Sequence, residues 1–190
     1  MNNLQDIAVL EKLTDVLEML NIAYVIGGSM ASSAYGVVRF TQDADITIEP
    51  FGPMTDKLFD ILKKDFYISK EAMYQALQSR SSFNIIHFGT AFKIDLFVRA
   101  ENEFQKQMFS RSRKLRLGKS KKLVSFVSPE DIILLKLGWY KQSDCTSQRQ
   151  WSDILGVLTA KTSATDYEYL KSWATKLGLN ELLQKAMAGP

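Results

Sequence analysis

Apolar residues recur at Ile7, Leu10, Leu13, Val16, Leu17 and Leu20, the spacing of one helical face, so residues 6–20 are expected to form an amphipathic helix. The short apolar run Ala23, Tyr24, Val25, Ile26 then stops at Gly27 and Gly28, the pattern of a buried strand entering a tight turn. Residues 29–35 are rich in Ala and Ser and predict a short, closely packed helix. Strict alternation follows over residues 43–49: Ala44, Ile46 and Ile48 fall on one side, and Asp43, Asp45, Thr47 and Glu49 on the other. That is a strand with one polar face. Residues 53–63 and 71–79 read as helices, the first with proline in its opening turn. Residues 83–88 and 92–98 flank Gly89 and Thr90 as a hairpin, with Lys93, Asp95 and Phe97 on one side of its second strand. Another hairpin is expected over residues 114–127, turning at Gly118, Lys119 and Ser120.

The pattern then changes period. Ser128 and Pro129 open a helix that runs to about residue 140, with serine as its cap and proline at its first position. Further helical patterns cover residues 148–160, 165–177 and 180–187. The expected architecture is an α/β protein with a mixed sheet over residues 1–127 and a C-terminal helical lobe over residues 128–190, joined as one compact unit. A chain of 190 residues suits one well-cored domain of this kind.

Composition narrows the chemistry. Hydrophobic residues make up 46% and charged residues 24%, ordinary values for a globular protein. No apolar run approaches the roughly 20 residues that span a bilayer, and the N-terminus lacks the basic-then-apolar pattern of a secretory signal. A single cysteine, Cys145, cannot form an internal disulfide, which makes the cytoplasm the expected location. One cysteine and one histidine are too few for a Cys/His zinc site. His87 lies in a strand pattern without a nucleophile elbow, which argues against a Ser-His-Asp triad. The net charge of +3 is small, but residues 111–122 read RSRKLRLGKSKK. Such a run suits a polyanion, and a solvated hairpin would carry it equally well.

The sharpest signal joins Gly27, Gly28 and Ser29 to Asp43 and Asp45. Residues two apart in a strand share a face, so the two carboxylates project together and repel unless a cation or proton lies between them. Hard cations such as magnesium prefer such oxygen ligands. Asp95, set among large apolar residues of another strand, is the natural third acid and would complete a site for two ions. The glycine pair lets the backbone approach a ligand closely, and the helix behind it offers unpaired N–H groups to a phosphate, with Ser29 as a further donor. A phosphate cradle beside a metal site is what phosphoryl transfer needs.

The stretch GGSMASSAYGVVRFTQDADITIE resembles the signature of the polymerase-beta-like nucleotidyltransferase superfamily. Within it, the run Gly36, Arg39, Thr41, Asp43, Asp45, Ile46 is most similar to the prokaryotic abortive-infection (AbiEii-type) branch, which includes toxins of toxin–antitoxin pairs. Two later stretches resemble the same branch: a proline-led helix from Ser128 to Leu137 containing Lys136, and an arginine-to-aspartate segment from Arg149 to Asp153. The resemblance spans roughly residues 20–155 and implies a nucleotidyltransferase fold. It implies that magnesium, or manganese in its place, is held as two ions by Asp43, Asp45 and Asp95. A nucleoside triphosphate would be bound by Gly27, Gly28, Ser29, Arg39 and Lys136, with Asp153 supporting the site. A hydroxyl acceptor would take the nucleoside monophosphate and pyrophosphate would leave. RNA, such as the end of a transfer RNA, is the acceptor this branch favours, with a protein hydroxyl or a small molecule such as an antibiotic left open, and a cognate antitoxin is the partner it suggests.

Each residue also has a plainer reading. An Asp-x-Asp pair alone is common at surfaces, Asp153 could simply pair with Arg149 one turn earlier, and Lys136 could be a solvent-reaching lysine. Trp139, Trp151 and Trp173 sit at helical spacings expected of a core. The rival to an enzyme is a nucleotide-sensing or partner-binding module on the same fold. Three acids held together argue against it, since such a module has no need of them.

Overall fold

A computed structural model of the chain describes residues 4–39, 41–118, 120–160 and 165–189. Lys119, at the expected hairpin turn and in the basic run, lies outside them. Nine helices and a seven-stranded mixed sheet are present among the described residues. The helix α1 (Leu4–Met19) buries Leu10, Leu13 and Leu17 completely, as its spacing requires. It leads to β1 (Tyr24–Ile26), then α2 (Gly28–Tyr35) and β2 (Asp43–Ile48). A 3-10 turn (Gly52–Met54) precedes α3 (Thr55–Leu62), so proline lies in that turn and not in the helix proper.

Two elements were not foreseen. The strand β3 (Phe66–Ile68) has only three residues, too few to show alternation, and takes its identity from pairing with β4 (Ser82–His87). Between them, α4 (Lys70–Ser79) is capped by Ser69. After β5 (Lys93–Val98) comes α5 (Glu103–Ser110), whose first turn is held by Asn102 accepting from the Gln105 N–H at 2.8 Å. Its buried residues are Phe104 and Met108, one turn apart, with Phe109 partly buried beside them, too short a signal for periodicity. The second hairpin is β6 (Arg113–Arg116) and β7 (Leu123–Phe126). Then follow α6 (Pro129–Gln142), α7 (Gln148–Thr159), α8 (Tyr167–Lys176) and α9 (Asn180–Met187).

Strand order is β3-β4-β5-β2-β1-β7-β6. The central pair β2 and β5 is parallel, as is β1 with β7, and the remaining pairs are antiparallel. Ala44, Ile46 and Ile48 of β2 and Ile94 and Leu96 of β5 are fully buried, while the alternate residues stay partly open. One face of the central strands is therefore core, and the other is left for chemistry.

The later helices are fixed to the sheet portion at two places. First, α6 and α7 pack on each other and on α2. Gly36, at the end of α2, meets Gly156 of α7 so closely that a Cβ on Gly36 would lie 2.7 Å from the Gly156 carbonyl carbon. Second, the opening turn of α6 buries an acidic pair completely. Ser128 caps the helix at the Asp131 N–H and donates its hydroxyl to Asp131 at 2.7 Å, and the Tyr169 hydroxyl donates to the same carboxylate at 2.7 Å. Burial nonetheless pushes the Asp131 carboxyl above its ordinary value. Glu130 accepts from Arg111 at 3.3 Å and from the Asp166 N–H at 2.8 Å, with Arg113 3.7 Å away.

These partners change the meaning of the basic run. Arg111 and Arg113 serve Glu130, and Lys122 serves Asp15 at 2.6 Å and Thr14 at 2.9 Å. Lys114, Arg116 and Lys121 are exposed. No helix among the described residues is long and apolar enough to cross a membrane.

Candidate active site

The parallel pairing of β2 with β5 sets Asp45 opposite Asp95 and Asp43 opposite Lys93. All four side chains therefore belong to the open face of the sheet. Burial pushes the Asp45 carboxyl above the ordinary carboxylate range, and the negative charges of Asp43 and then Asp95 push it further. Asp43 is steadied by Thr41, whose hydroxyl donates to its Oδ1 at 2.6 Å. Asp95 is paired with Lys93, Nζ to Oδ2 at 2.8 Å.

The glycine turn is built around Asp45. The Gly27 N–H donates to the Asp45 carbonyl at 2.8 Å, which brings the turn alongside β2. Gly28 has φ +54°, the left-handed region, and a Cβ there would lie 1.8 Å from Asp45 Oδ2. Only glycine satisfies both conditions. Ser29 follows, nearly buried in the first turn of α2. Its hydroxyl accepts from Arg39 Nη2 and stands 3.5 Å from Arg149 Nη2.

A second layer ties α2, α6 and α7 together through Asp153. Arg39 donates to it from Nε at 2.9 Å and from Nη2 at 3.1 Å, a two-pronged contact. Lys136 approaches the same carboxylate at 2.7 Å and also donates to Gln150 at 2.9 Å. Burial pushes Asp153 up, but the hydrogen bonds from Arg39 and Lys136 together outweigh it and hold the carboxyl below its ordinary value. Lys136 is only 2% exposed, so its long stem does not snorkel to solvent; burial pushes its ammonium down while Asp153 opposes the change. Asp153 thus pairs with Arg39 and Lys136, not with Arg149.

Ser29, Asp43, Asp45, Lys136, Trp139 and Arg149 line one cleft of about 390 Å³, with Phe97 and Gln150 on its walls. Gly28 lies against Asp45, one of the lining residues, and Asp95 stands opposite Asp45 in the strand register without lining the cleft itself. Arg39 and Asp153 stand behind, where a more apolar cavity of about 350 Å³ shares Arg39 and Thr41. Six residues of this neighbourhood did not stand out in the sequence as site residues: Lys93, Phe97, Trp139, Ser147, Arg149 and Gln150. Trp139 departs from the expected core role, whereas Trp151 packs on Tyr140 and Trp173 on Phe104. The helical spacing of Trp139 and Lys136, three apart, was the available signal that both share a face.

No family model matches the chain, and no curated protein matches it in sequence. Solved structures do match. The antibiotic-resistance factor ANT(2'')-Ia aligns over 97% of this chain and 94% of its own, with TM-score 0.57 and 16% identity. The same protein in complex with adenylyl-2"-tobramycin aligns over 90% and 98%, again with TM-score 0.57 and 16% identity. An antigenic nucleotidyltransferase-like protein from Paracoccidioides brasiliensis aligns over 96% and 91%, with TM-score 0.56 and 19% identity. The fold is that of the nucleotidyltransferases.

The site's residues suit a hard divalent cation in kind. The donors are all oxygens, and a cation beside Asp43 and Asp45 would relieve the repulsion that pushes Asp45 upward. The fit is closest for these two. Among the described residues, no three His, Cys, Asp or Glu side chains are drawn together as a metal-holding group, and Asp95 is engaged by Lys93 instead.

Proposed function

We propose that this chain is a metal-dependent nucleotidyltransferase that moves a nucleoside monophosphate from a nucleoside triphosphate to a hydroxyl acceptor and releases pyrophosphate. The observation that carries the reading is the fit of Gly28 against Asp45 directly across from Asp95. A helix start and a carboxylate pair at one cleft, with a third acid in register beside them, support this reading.

Asp43 and Asp45 hold the cation, magnesium or manganese, which when bound supplies positive charge to the phosphate oxygens. Ser29 and the first N–H groups of α2 receive the phosphates, and Arg149, 3.5 Å from the Ser29 hydroxyl, is a cation on the cleft wall. Arg39, Lys136 and Asp153 keep Ser29 and α7 in place, with Lys136 also presenting charge to the cleft. Asp95 takes the proton of the acceptor hydroxyl. The acceptor oxygen then bonds to the α-phosphorus, and the bond from that phosphorus to the departing pyrophosphate oxygen breaks. Catalysis on this reading is positioning plus fixed charge.

RNA is the first acceptor reading, supported by exposed Lys114, Arg116 and Lys121 and by Arg116 lying in the cavity that reaches Arg39 and Thr41. A small polyhydroxylated molecule is the second, favoured by the internal pairing of Arg111, Arg113 and Lys122 and by the modest cleft volume. The test is incubation with magnesium, each labelled nucleoside triphosphate, and either total RNA or a panel of aminoglycosides and other polyols, beside Asp45→Asn. Label on RNA or on a small molecule selects the acceptor. No transfer despite magnesium-dependent nucleotide binding would replace the enzyme with a nucleotide-sensing module.

A further inference from the structure

Lys93 is the one base on the open face of the two acidic strands, and its placement bears on how many ions the site takes. It stands opposite Asp43 in the strand register and two residues before Asp95 on the same face. Its ammonium hydrogen-bonds Asp95 Oδ2 at 2.8 Å. The register sets Asp43 across from Lys93 and Asp45 across from Asp95, so the ammonium shares one face with all three acids. Asp95 is the less exposed partner, its side chain 23% exposed against 44% for Lys93.

Two-ion sites hold their cations about 3.5–4 Å apart and need the third acid to face the second ion. Here one oxygen of that acid, Asp95 Oδ2, already accepts from an ammonium. Three carboxylates and one ammonium leave a net charge that a single divalent ion neutralises, and a second would face the lysine as a like charge. We propose that Lys93 takes the place of a second metal ion, so that the site binds one divalent cation, at Asp43 and Asp45, with the Lys93 ammonium as the permanent counter-charge of Asp95. This rests on the nucleotidyltransferase reading above and departs from the two ions implied by family resemblance. It makes Lys93 a positioning residue for Asp95, and it gives a physical reason why Asp95 is not drawn into a three-acid cluster.

The experiment is a count of manganese ions by electron paramagnetic resonance and calorimetry, on the full chain with a non-hydrolysable nucleoside triphosphate analogue. Wild type, Lys93→Met, Lys93→Arg and Asp45→Asn are compared. The expected result is one ion per chain for wild type and Lys93→Arg, and two for Lys93→Met, whose second site tightens by about tenfold or more because a like charge at close range is gone. Retention of the first ion by Lys93→Met shows that the variant is folded. Two ions on the wild type would overturn the proposal, and so would a single ion on Lys93→Met. If wild type binds no more manganese than Asp45→Asn, the metal reading itself has failed, an outcome distinct from a wrong ion count.

Discussion

Gly28 and Asp45 share a space that only one side chain can occupy: the Asp45 carboxylate oxygen stands where a Gly28 Cβ would be. Replacing Gly28 with alanine displaces the carboxylate and forces a left-handed backbone on a residue that resists it. The backbone strain costs about 1–3 kcal/mol. A catalytic group moved by about 1 Å can lose about a hundredfold in rate. Gly28→Ala should therefore keep a cooperative, somewhat lowered denaturant transition while kcat falls by about two orders of magnitude. A variant with wild-type turnover would detach the glycine turn from the site.

Asp45 is held against two other carboxylates in a part-buried place, so its charge costs stability while serving function. Asp45→Asn keeps the volume and removes that repulsion. It should abolish turnover yet raise the melting temperature by about 2–4 °C, the shift expected for about 1 kcal/mol in a chain of this size. Paired thermal melts and label-transfer assays would show it. A lower melting temperature would mean that Asp45 has stabilising partners of its own.

Asp153 shows the opposite balance. Arg39 and Lys136 both depend on it, and removing one partner of a buried pair costs about 3–5 kcal/mol. Asp153→Asn should lose about that much in a urea titration. The pH dependence has a definite sign. The folded carboxyl is held low, so its contribution is full above the unfolded value of about 4 and is lost as pH falls through the lower folded value. The acid limb of the stability curve should accordingly be shallower in Asp153→Asn than in wild type.

Glu130 is fully buried and joins Arg111, Arg113 and the start of α8. Glu130→Gln removes the buried charge that both guanidinium groups approach, leaving Arg111 with Asp166 at 3.5 Å, and should cost about 2–4 kcal/mol, with turnover per folded molecule preserved. Stability should be read from a denaturant midpoint, and activity from a titration of folded sites. Loss of activity at full folding would connect this joint to the cleft.

Much of the acidic sheet face was legible in the sequence because it rests on short-range rules. Alternation in residues 43–48 and 93–98 put the acids on one face, and two glycines after an apolar run marked the turn. What sequence could not supply were long-range partners. Nothing local says that Arg111 and Arg113 end on Glu130, or that Asp153 ignores Arg149 in favour of Arg39, 114 positions away. The basic run therefore looked more available to a polyanion than it is. Lys93 was read as one of three residues on a strand face; its bond to Asp95 emerged only with the side chains in place. The strand β3 and helix α5 were missed because each shows too few residues for a period to form.

The register between β2 and β5 carries a consequence for the history of such a chain. Ile94 and Leu96 are sealed in the core on either side of Asp95, and β5 is clasped by β2 and β4. Exchanging one amino acid for another in this stretch is a graded change, but gaining or losing a single codon is not. A shift of one position would turn Asp95 inward and present an isoleucine or leucine to the cleft. Loops outboard of β4 and β5 are free to vary in length, whereas the distance in residues from the start of β5 to Asp95 is quantised.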